Sequence, residues 1–134
     1  MKIAQVAPLY ESVPPKLYGG TERVVSYLTE ALVDLGHDVT IYASGDSQTR
    51  ARLRAARPRA ARLDPNNVDS VADHICLVER VFRESGEFEI VHSHVDYPGF
   101  PVLRRMRAPG VAEASGKELT VTSYSPAGMP SRRK

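Results

Sequence analysis

The chain has 134 residues, of which 42% are hydrophobic and 25% are charged. A chain of this length forms one domain, and this composition excludes disorder throughout. The formal net charge of +2 is too small to predict nucleic acid as the main partner.

The sequence shows no segment that directs a chain to export or into a membrane. Cys76 is the only cysteine, so no disulfide can form within the chain, and we expect a cytoplasmic location. The apolar run in Met1–Pro8 is interrupted by Gln5 and is too short for a signal peptide. We expect no transmembrane segment, since no stretch approaches the roughly 20 apolar residues that one needs.

The first predicted elements form a β-α-β unit. Ile3–Ala7 is a short apolar strand, and apolar residues recur at helical spacing from Val24 to Leu35, until Gly36 ends the helix. Asp38–Ala43 is rich in β-branched residues and predicts a second strand. A right-handed crossover makes these two strands parallel neighbours, which helices cover on both faces.

The turn between the first strand and this helix contains Gly19 and Gly20. Backbone N–H groups at the start of a helix have no intrahelical partners and suit an anion, and glycine lets a ligand approach closely. Thr21 either caps the helix or bonds the ligand. The turn therefore predicts a phosphate or sugar site, with the alternative that the glycines serve only the turn.

An arginine-rich segment follows the second strand, with alanine as the main spacer. Its arginines are Arg50, Arg52, Arg54, Arg57, Arg59 and Arg62. We predict a short basic helix that ends before Pro58, and a short third strand at Ala61–Asp64. No aromatic residues are interleaved for base stacking, so a solvated basic face is favoured over a nucleic-acid or membrane-surface patch.

A second amphipathic helix is predicted to start at Asn67 or Asp69 and to end near Gly86. Its predicted apolar face consists of Val71, Ala72, Ile75, Val78 and Phe82, widened by Cys76 and Leu77. Cys76 is therefore expected to be a buried thiol. His74 lies beside this stripe without a visible partner, and we expect a surface or boundary histidine.

Phe88–His94 predicts a fourth strand that becomes polar at its carboxyl end, followed by a short helix at Val102–Arg107. In an open parallel sheet the first strand lies beside the strand that begins the second half, which creates a crevice at their carboxyl ends. The double glycine and the end of the fourth strand should therefore face each other.

His92 and His94 are two residues apart, so they project from the same side of a strand. Asp96 is the only further metal ligand close by in the sequence, so hydrogen bonding to a sugar hydroxyl or phosphate is favoured over a metal site. The histidines could instead satisfy loop carbonyls. The glycine patterns of nicotinamide dehydrogenases and phosphate-loop hydrolases are absent, as is the Gly-x-Ser-x-Gly elbow of hydrolases.

Four segments stand in an order that is typical of a known family: Met1–Pro8, Pro14–Arg23, Leu35–Thr40 and Ile90–Tyr97. Together they resemble the N-terminal domain of retaining GT-B glycosyltransferases of family four, over about residues 1–106. The resemblance implies an α/β, Rossmann-like, three-layer α/β/α fold with a mostly parallel sheet of four to five strands, as the incomplete N-terminal half of a GT-B fold. Residues 1–110 would form the acceptor-side domain, and residues 111–134 a divergent tail with an edge strand at 119–124.

The activity that the resemblance implies is transfer of a sugar from a nucleotide diphosphate sugar to an acceptor, with retention and without a metal or other cofactor. The residues implied to approach the donor phosphates are Gly19, Gly20, Thr21 and, more weakly, Lys16. The residues implied on the acceptor side are His92, His94 and Asp96. Peripheral membrane contact is compatible with this assignment, and nothing in the sequence identifies the sugar, the nucleotide or the acceptor.

The chain departs from the family pattern after Met106, where the histidine of a Thr-x-x-His-Gly type segment is missing. We therefore assign no catalytic residue and expect a chain truncated by a frameshift, an early stop or fragmentary gene prediction, and inactive alone. If Thr120–Tyr124 does not pair beside the fourth strand, we expect self-association through an uncovered sheet edge. The alternatives are a non-catalytic nucleotide- or phosphate-binding module, one half of a split enzyme, or a basic interaction protein.

Overall fold

The computed structural model describes residues 1–114 and 117–119. They form a six-stranded sheet of order β3-β2-β1-β4-β5-β6, in which the first five strands of the chain run parallel and β6 runs antiparallel to β5. The strands are β1 (Lys2–Val6), β2 (Asp38–Ser44), β3 (Arg52–Arg57), β4 (Ile90–Ser93), β5 (Gly110–Ala114) and β6 (Lys117–Leu119). The helices are α1 (Gly20–Asp34), α2 (Ser70–Glu84) and the short α3 (Phe100–Leu103).

The predicted Rossmann-like α/β fold is confirmed. β1 pairs in parallel with β2 on one side and with β4 on the other, with Ile3 opposite both Val39 and Ile90. The order of the strands therefore reverses at β1, and the carboxyl ends of β1 and β4 lie side by side. This is the place where open α/β sheets bind their ligands.

Two hydrophobic clusters lie on opposite faces of the sheet. Neighbouring residues of β2 separate them, because Ile41 packs with Val25 of α1, whereas Tyr42 packs with Leu77 and Val81 of α2. All four apolar partners and Tyr42 are at most 1% exposed. Since both faces are covered by helices, β1 and β2 are buried throughout most of their length, as parallel strands require.

The arginine-rich segment is a strand, and the prediction of a basic helix there is wrong. β3 pairs with β2, so that Leu53 lies opposite Ile41. Arg54 donates to Glu84 at 2.7 Å and to Glu87 at 2.6 Å. Alanine and arginine are among the strongest helix formers, but helix propensity is a weak preference, and the pairing with β2 and these ion pairs override it. The predicted solvated basic face is therefore largely engaged in ion pairs, and Ala61–Leu63 is a single turn of 3-10 helix, not a strand.

α2 begins where it was predicted, and Leu77, Val78 and Phe82 of its predicted apolar face pack in the core, but the rest of that face does not. Asp69 caps it, because its Oδ1 accepts hydrogen bonds from the backbone N–H groups of Val71 and Ala72 at 2.9 and 3.2 Å. The buried residues of α2 are His74, Leu77, Val78 and Val81. Val71, Ile75 and Cys76 are exposed, so the predictions of an apolar face around them and of a buried Cys76 are wrong.

α1 also buries a more polar face than its apolar spacing predicted. Its buried residues are Glu22, Val25, Ser26 and Thr29. Val24 and Leu35, which belong to the apolar residues at helical spacing, are exposed. No helix of the described residues has the length and apolar character that a membrane span needs.

The strand beside β4 is β5, which begins at residue 110, where we had placed the end of the domain. Thr120–Tyr124, the segment predicted to pair beside the fourth strand, lies outside the described residues. Because β4 has β1 on one side and β5 on the other, it is not the uncovered edge from which we expected self-association. The predicted helix at Val102–Arg107 forms earlier, as α3.

Candidate functional site

A cavity of about 320 Å³ lies at the carboxyl ends of β1 and β4. Its lining includes Gly19, Gly20 and Thr21 from the start of α1, and His94 and Asp96 from the segment that follows β4. These are the two polar regions that the sequence predicted to face each other. The sheet brings them together because the reversal of strand order at β1 places both loops at one edge.

The two glycines have different surroundings. Gly19 is the N-cap of α1, and a Cβ atom there would lie 2.8 Å from Glu22 Oε2 and 2.9 Å from Pro15 Cβ. At Gly20 a Cβ atom would meet no heavy atom of the described residues within 4 Å. Packing therefore requires glycine at position 19, whereas the backbone at position 20 is open to a ligand.

Thr21 lies within the first turn of α1 and is exposed, and no side chain caps this helix. The prediction that Thr21 could cap it is therefore wrong, but the residue does line the cavity. A helix start without a side-chain cap leaves backbone N–H groups available to an external acceptor. This arrangement suits a phosphate or a sugar oxygen.

Two buried carboxyl groups lie beneath the double glycine. Glu11 is 2% exposed and Glu22 is 5% exposed. Burial raises the pKa of the Glu22 carboxyl above its ordinary value of 4.5, against backbone hydrogen bonds and the charge of Arg62, and the neighbouring Glu11 raises it further. Neither residue stands out in the sequence, because glutamates in loops and in the first turn of a helix are usually exposed.

Replacing Glu22 with glutamine is expected to stabilise the fold increasingly as the pH rises. A carboxyl group whose pKa is higher in the folded state than in the unfolded state favours folding below its unfolded pKa, and this contribution is lost as the pH rises through the folded pKa. Thermal unfolding from about pH 4 to about pH 7 should therefore show the melting temperature of Glu22→Gln rising relative to the unsubstituted protein. The exposed Glu79→Gln serves as the control, and a difference that stays constant or falls with pH would contradict the burial effect.

Of the two histidines at the end of β4, His94 lines the cavity and His92 lies beside it. His94 is 3% exposed, and its Nε2 hydrogen-bonds Gln5 Oε1 at 2.8 Å. The ring centroids of His92 and His94 are 4.1 Å apart, in agreement with the predicted common side. His92 is half-buried and does not line the cavity. Within residues 1–114 and 117–119, no group of three or more His, Cys, Asp or Glu is arranged to hold a metal ion.

His74 is a buried member of the cavity wall, so the prediction of a surface or boundary histidine is wrong. Its Nε2 accepts a hydrogen bond from the backbone N–H of Leu9 at 2.9 Å. Nδ1 therefore carries the ring hydrogen and donates a hydrogen bond to the carbonyl oxygen of Ser70. The ring also lies 4.6 Å from that of Tyr10, another lining residue. His74 thus fixes the loop after β1 against α2.

Arg62 and Tyr18 complete this side of the cavity. Arg62 Nη1 donates to the carbonyl of Tyr18 at 3.1 Å and lies 3.5 Å from Glu11 Oε1. Lys16, a predicted phosphate ligand, does not line the cavity, and its Nζ is 3.9 Å from Asp46 Oδ2. No signal in the sequence distinguished Arg62 from the other arginines, since its position depends on the turn after β3.

A Rossmann-like sheet with a polar cavity at its switch point is the arrangement in which open α/β domains bind their ligands. Residues 18–127 match Glycosyltransferase Family 4, and the chain belongs to this family. The match extends beyond Met106, where we expected the resemblance to end. No curated protein matches the sequence.

Among solved structures, the chain is similar to the crystal structure of AviGT4, described as a glycosyltransferase involved in avilamycin A biosynthesis. The two share 26% sequence identity with a TM-score of 0.53, and the match covers 83% of this chain and 31% of AviGT4. The chain therefore spans less than a third of the length of that glycosyltransferase.

Proposed function

We propose that this chain provides the acceptor-side, N-terminal half of a retaining GT-B glycosyltransferase, which transfers a sugar from a nucleotide diphosphate sugar to an acceptor. Membership of Glycosyltransferase Family 4 and the likeness to AviGT4 support the reaction class. The observation that carries the proposal is the cavity, because it brings the start of α1 and the segment after β4 around one space.

In this proposal the open backbone at Gly20 approaches the donor diphosphate, with Gly19 and the hydroxyl of Thr21 beside it. The N–H groups at the start of α1 stabilise the negative charge that grows on the leaving phosphate. Gly19 serves indirectly, since its lack of a side chain lets Glu22 and Pro15 pack beneath the turn. Lys16 would reach the ligand only by leaving Asp46.

The acceptor side of the proposed site consists of His94 and Asp96, which line the cavity. The imidazole and the carboxylate can hydrogen-bond acceptor hydroxyl groups and orient them towards the donor. His92 does not line the cavity, and in this proposal it positions the ring of His94 by packing against it.

Substitution of Gly20 tests the proposal. Gly20→Val fills the open side of the turn. Gly86→Val is the control, because a Cβ atom at Gly86 would also meet no described heavy atom within 4 Å. Calorimetric titration with nucleotide diphosphate sugars should show weaker binding to Gly20→Val and unchanged binding to Gly86→Val. Equal binding by both variants would refute the assignment of the double glycine to the donor phosphates.

A polypeptide limited to these 134 residues is expected to show no transferase activity, because it spans only 31% of a similar glycosyltransferase. Retaining GT-B transfer needs both walls of a cleft, and the proposed role assigns to these residues one wall, with the acceptor side and the double-glycine contact to the donor diphosphate. The release of nucleoside diphosphate from a panel of nucleotide sugars measures this directly. Turnover above the rate of spontaneous hydrolysis would show that these residues hold a complete active site.

A further inference from the structure

We propose that Arg62 binds a phosphate group of the ligand that occupies the cavity, so that this ligand is recognised by a side chain as well as by the backbone of the double glycine. The inference rests on the proposed function, because it concerns the same cavity. Among the described residues that line the cavity, Arg62 is the only arginine or lysine. Its side chain is 53% exposed, so its charge is accessible to a ligand.

The guanidinium group is already held in place before a ligand arrives. Its Nη1 bonds the carbonyl of Tyr18, the residue that precedes the double glycine, at 3.1 Å. Its Cζ lies 5.7 Å from the centre of the Tyr10 ring, within the range of a cation–π contact. An arginine restrained in this way loses less conformational freedom on binding than a free one.

The side-chain hydrogen bonds of Arg62 within the described residues use only Nη1. The N–H groups of Nε and Nη2 lie along the other edge of the planar group, and this edge fits two oxygens of a phosphate. Lysine could supply the charge but not the paired donors. The geometry therefore suits a phosphate ester or diphosphate better than a neutral sugar.

The ion pair between Arg62 and Glu11 is long. Glu11 Oε1 is 3.5 Å from Nη1, and Glu11 Oε2 has no hydrogen-bond partner among the described residues. The carboxyl groups that line the cavity are Glu22 and Asp96, and burial shifts Glu22 towards its neutral form. A phosphate would therefore compete with one long ion pair for Arg62, and removal of the charge of Glu11 should strengthen phosphate binding.

Two ligands could present this phosphate: the donor, through its diphosphate, or an acceptor that is itself phosphorylated. Calorimetric titrations with uridine diphosphate and with a sugar monophosphate distinguish them, and uridine serves as the phosphate-free probe. The variants are Arg62→Gln and Glu11→Gln, with Arg59→Gln as the control, because Arg59 is an exposed arginine of the same segment. A thermal melt of each variant confirms that it is folded.

We expect Arg62→Gln to weaken binding of the phosphate-bearing probe about tenfold, as for loss of a charge-assisted bidentate contact. A further variant, Arg62→Lys, should have an affinity between those of the unsubstituted chain and Arg62→Gln. Arg59→Gln should bind the probe with unchanged affinity, and Glu11→Gln should bind it more tightly. Unchanged phosphate binding in Arg62→Gln would overturn the role of Arg62 and leave the proposed function standing. Failure of the unsubstituted chain to bind either phosphate-bearing probe would overturn both.

Discussion

Replacing Arg57 with alanine is expected to lower the free energy of unfolding by about 2 kcal/mol, because it removes the hydrogen bonds of a buried guanidinium group to two partly exposed carboxylates and an amide. The Arg57 side chain is only 8% exposed. Its Nη2 donates to Asp64 at 2.8 Å, and its Nη1 donates to Asp73 at 2.8 Å and to Asn67 at 3.0 Å. This one side chain therefore joins the end of β3 to the start of α2.

Urea denaturation measures this loss, and Arg59→Ala is the matched control. Arg59 is exposed and stands two residues further along the same segment, so its replacement should change the free energy of unfolding by no more than about 0.5 kcal/mol. Equal stability of the two variants would show that the network around Arg57 contributes nothing to the fold.

The second large effect is expected at Gly19, where alanine should destabilise the protein by about 2 kcal/mol through overpacking. The new Cβ would lie 2.9 Å from Pro15 Cβ, which belongs to a rigid ring, and 2.8 Å from Glu22 Oε2. The turn or the buried carboxyl would have to move. The proposed donor site should therefore lose ligand affinity together with stability.

Gly20→Ala is the control for this effect, because its Cβ meets no described heavy atom within 4 Å. Its stability should stay the same or rise by about 0.5 kcal/mol, since alanine restricts the unfolded chain. Thermal and urea unfolding of the two variants separate these outcomes. A Gly19→Ala protein as stable as Gly20→Ala would contradict the packing of the double-glycine turn described above.

The sheet and the facing of the two polar regions could be predicted because they depend on local patterns. Ile3–Ala7 and Asp38–Ala43 are apolar and β-branched, and the helix between them requires a parallel crossover. The position of β4 beside β1 follows from the usual order of such sheets. These features place Gly19 and His94 at one edge without knowledge of any side-chain contact.

The features that could not be predicted depend on contacts between residues that are distant in sequence. His74 is buried and accepts a hydrogen bond from the backbone N–H of Leu9, 65 residues away, a contact that the apolar spacing of α2 does not indicate. β3 is a strand because it pairs with β2 and because Arg54 donates a hydrogen bond to Glu84 of α2. Arg62 reaches the cavity only because the chain turns back after this strand.

The central claim is that the cavity between the start of α1 and the segment after β4 binds a nucleotide sugar. Nuclear magnetic resonance of the ¹⁵N-labelled chain during titration with nucleotide diphosphate sugars tests it most directly. The largest shifts of the backbone amide signals should occur at Gly19, Gly20 and Thr21, with further shifts at His94 and Asp96. Shifts confined to residues outside the cavity, or no saturable shift with any nucleotide sugar, would contradict it.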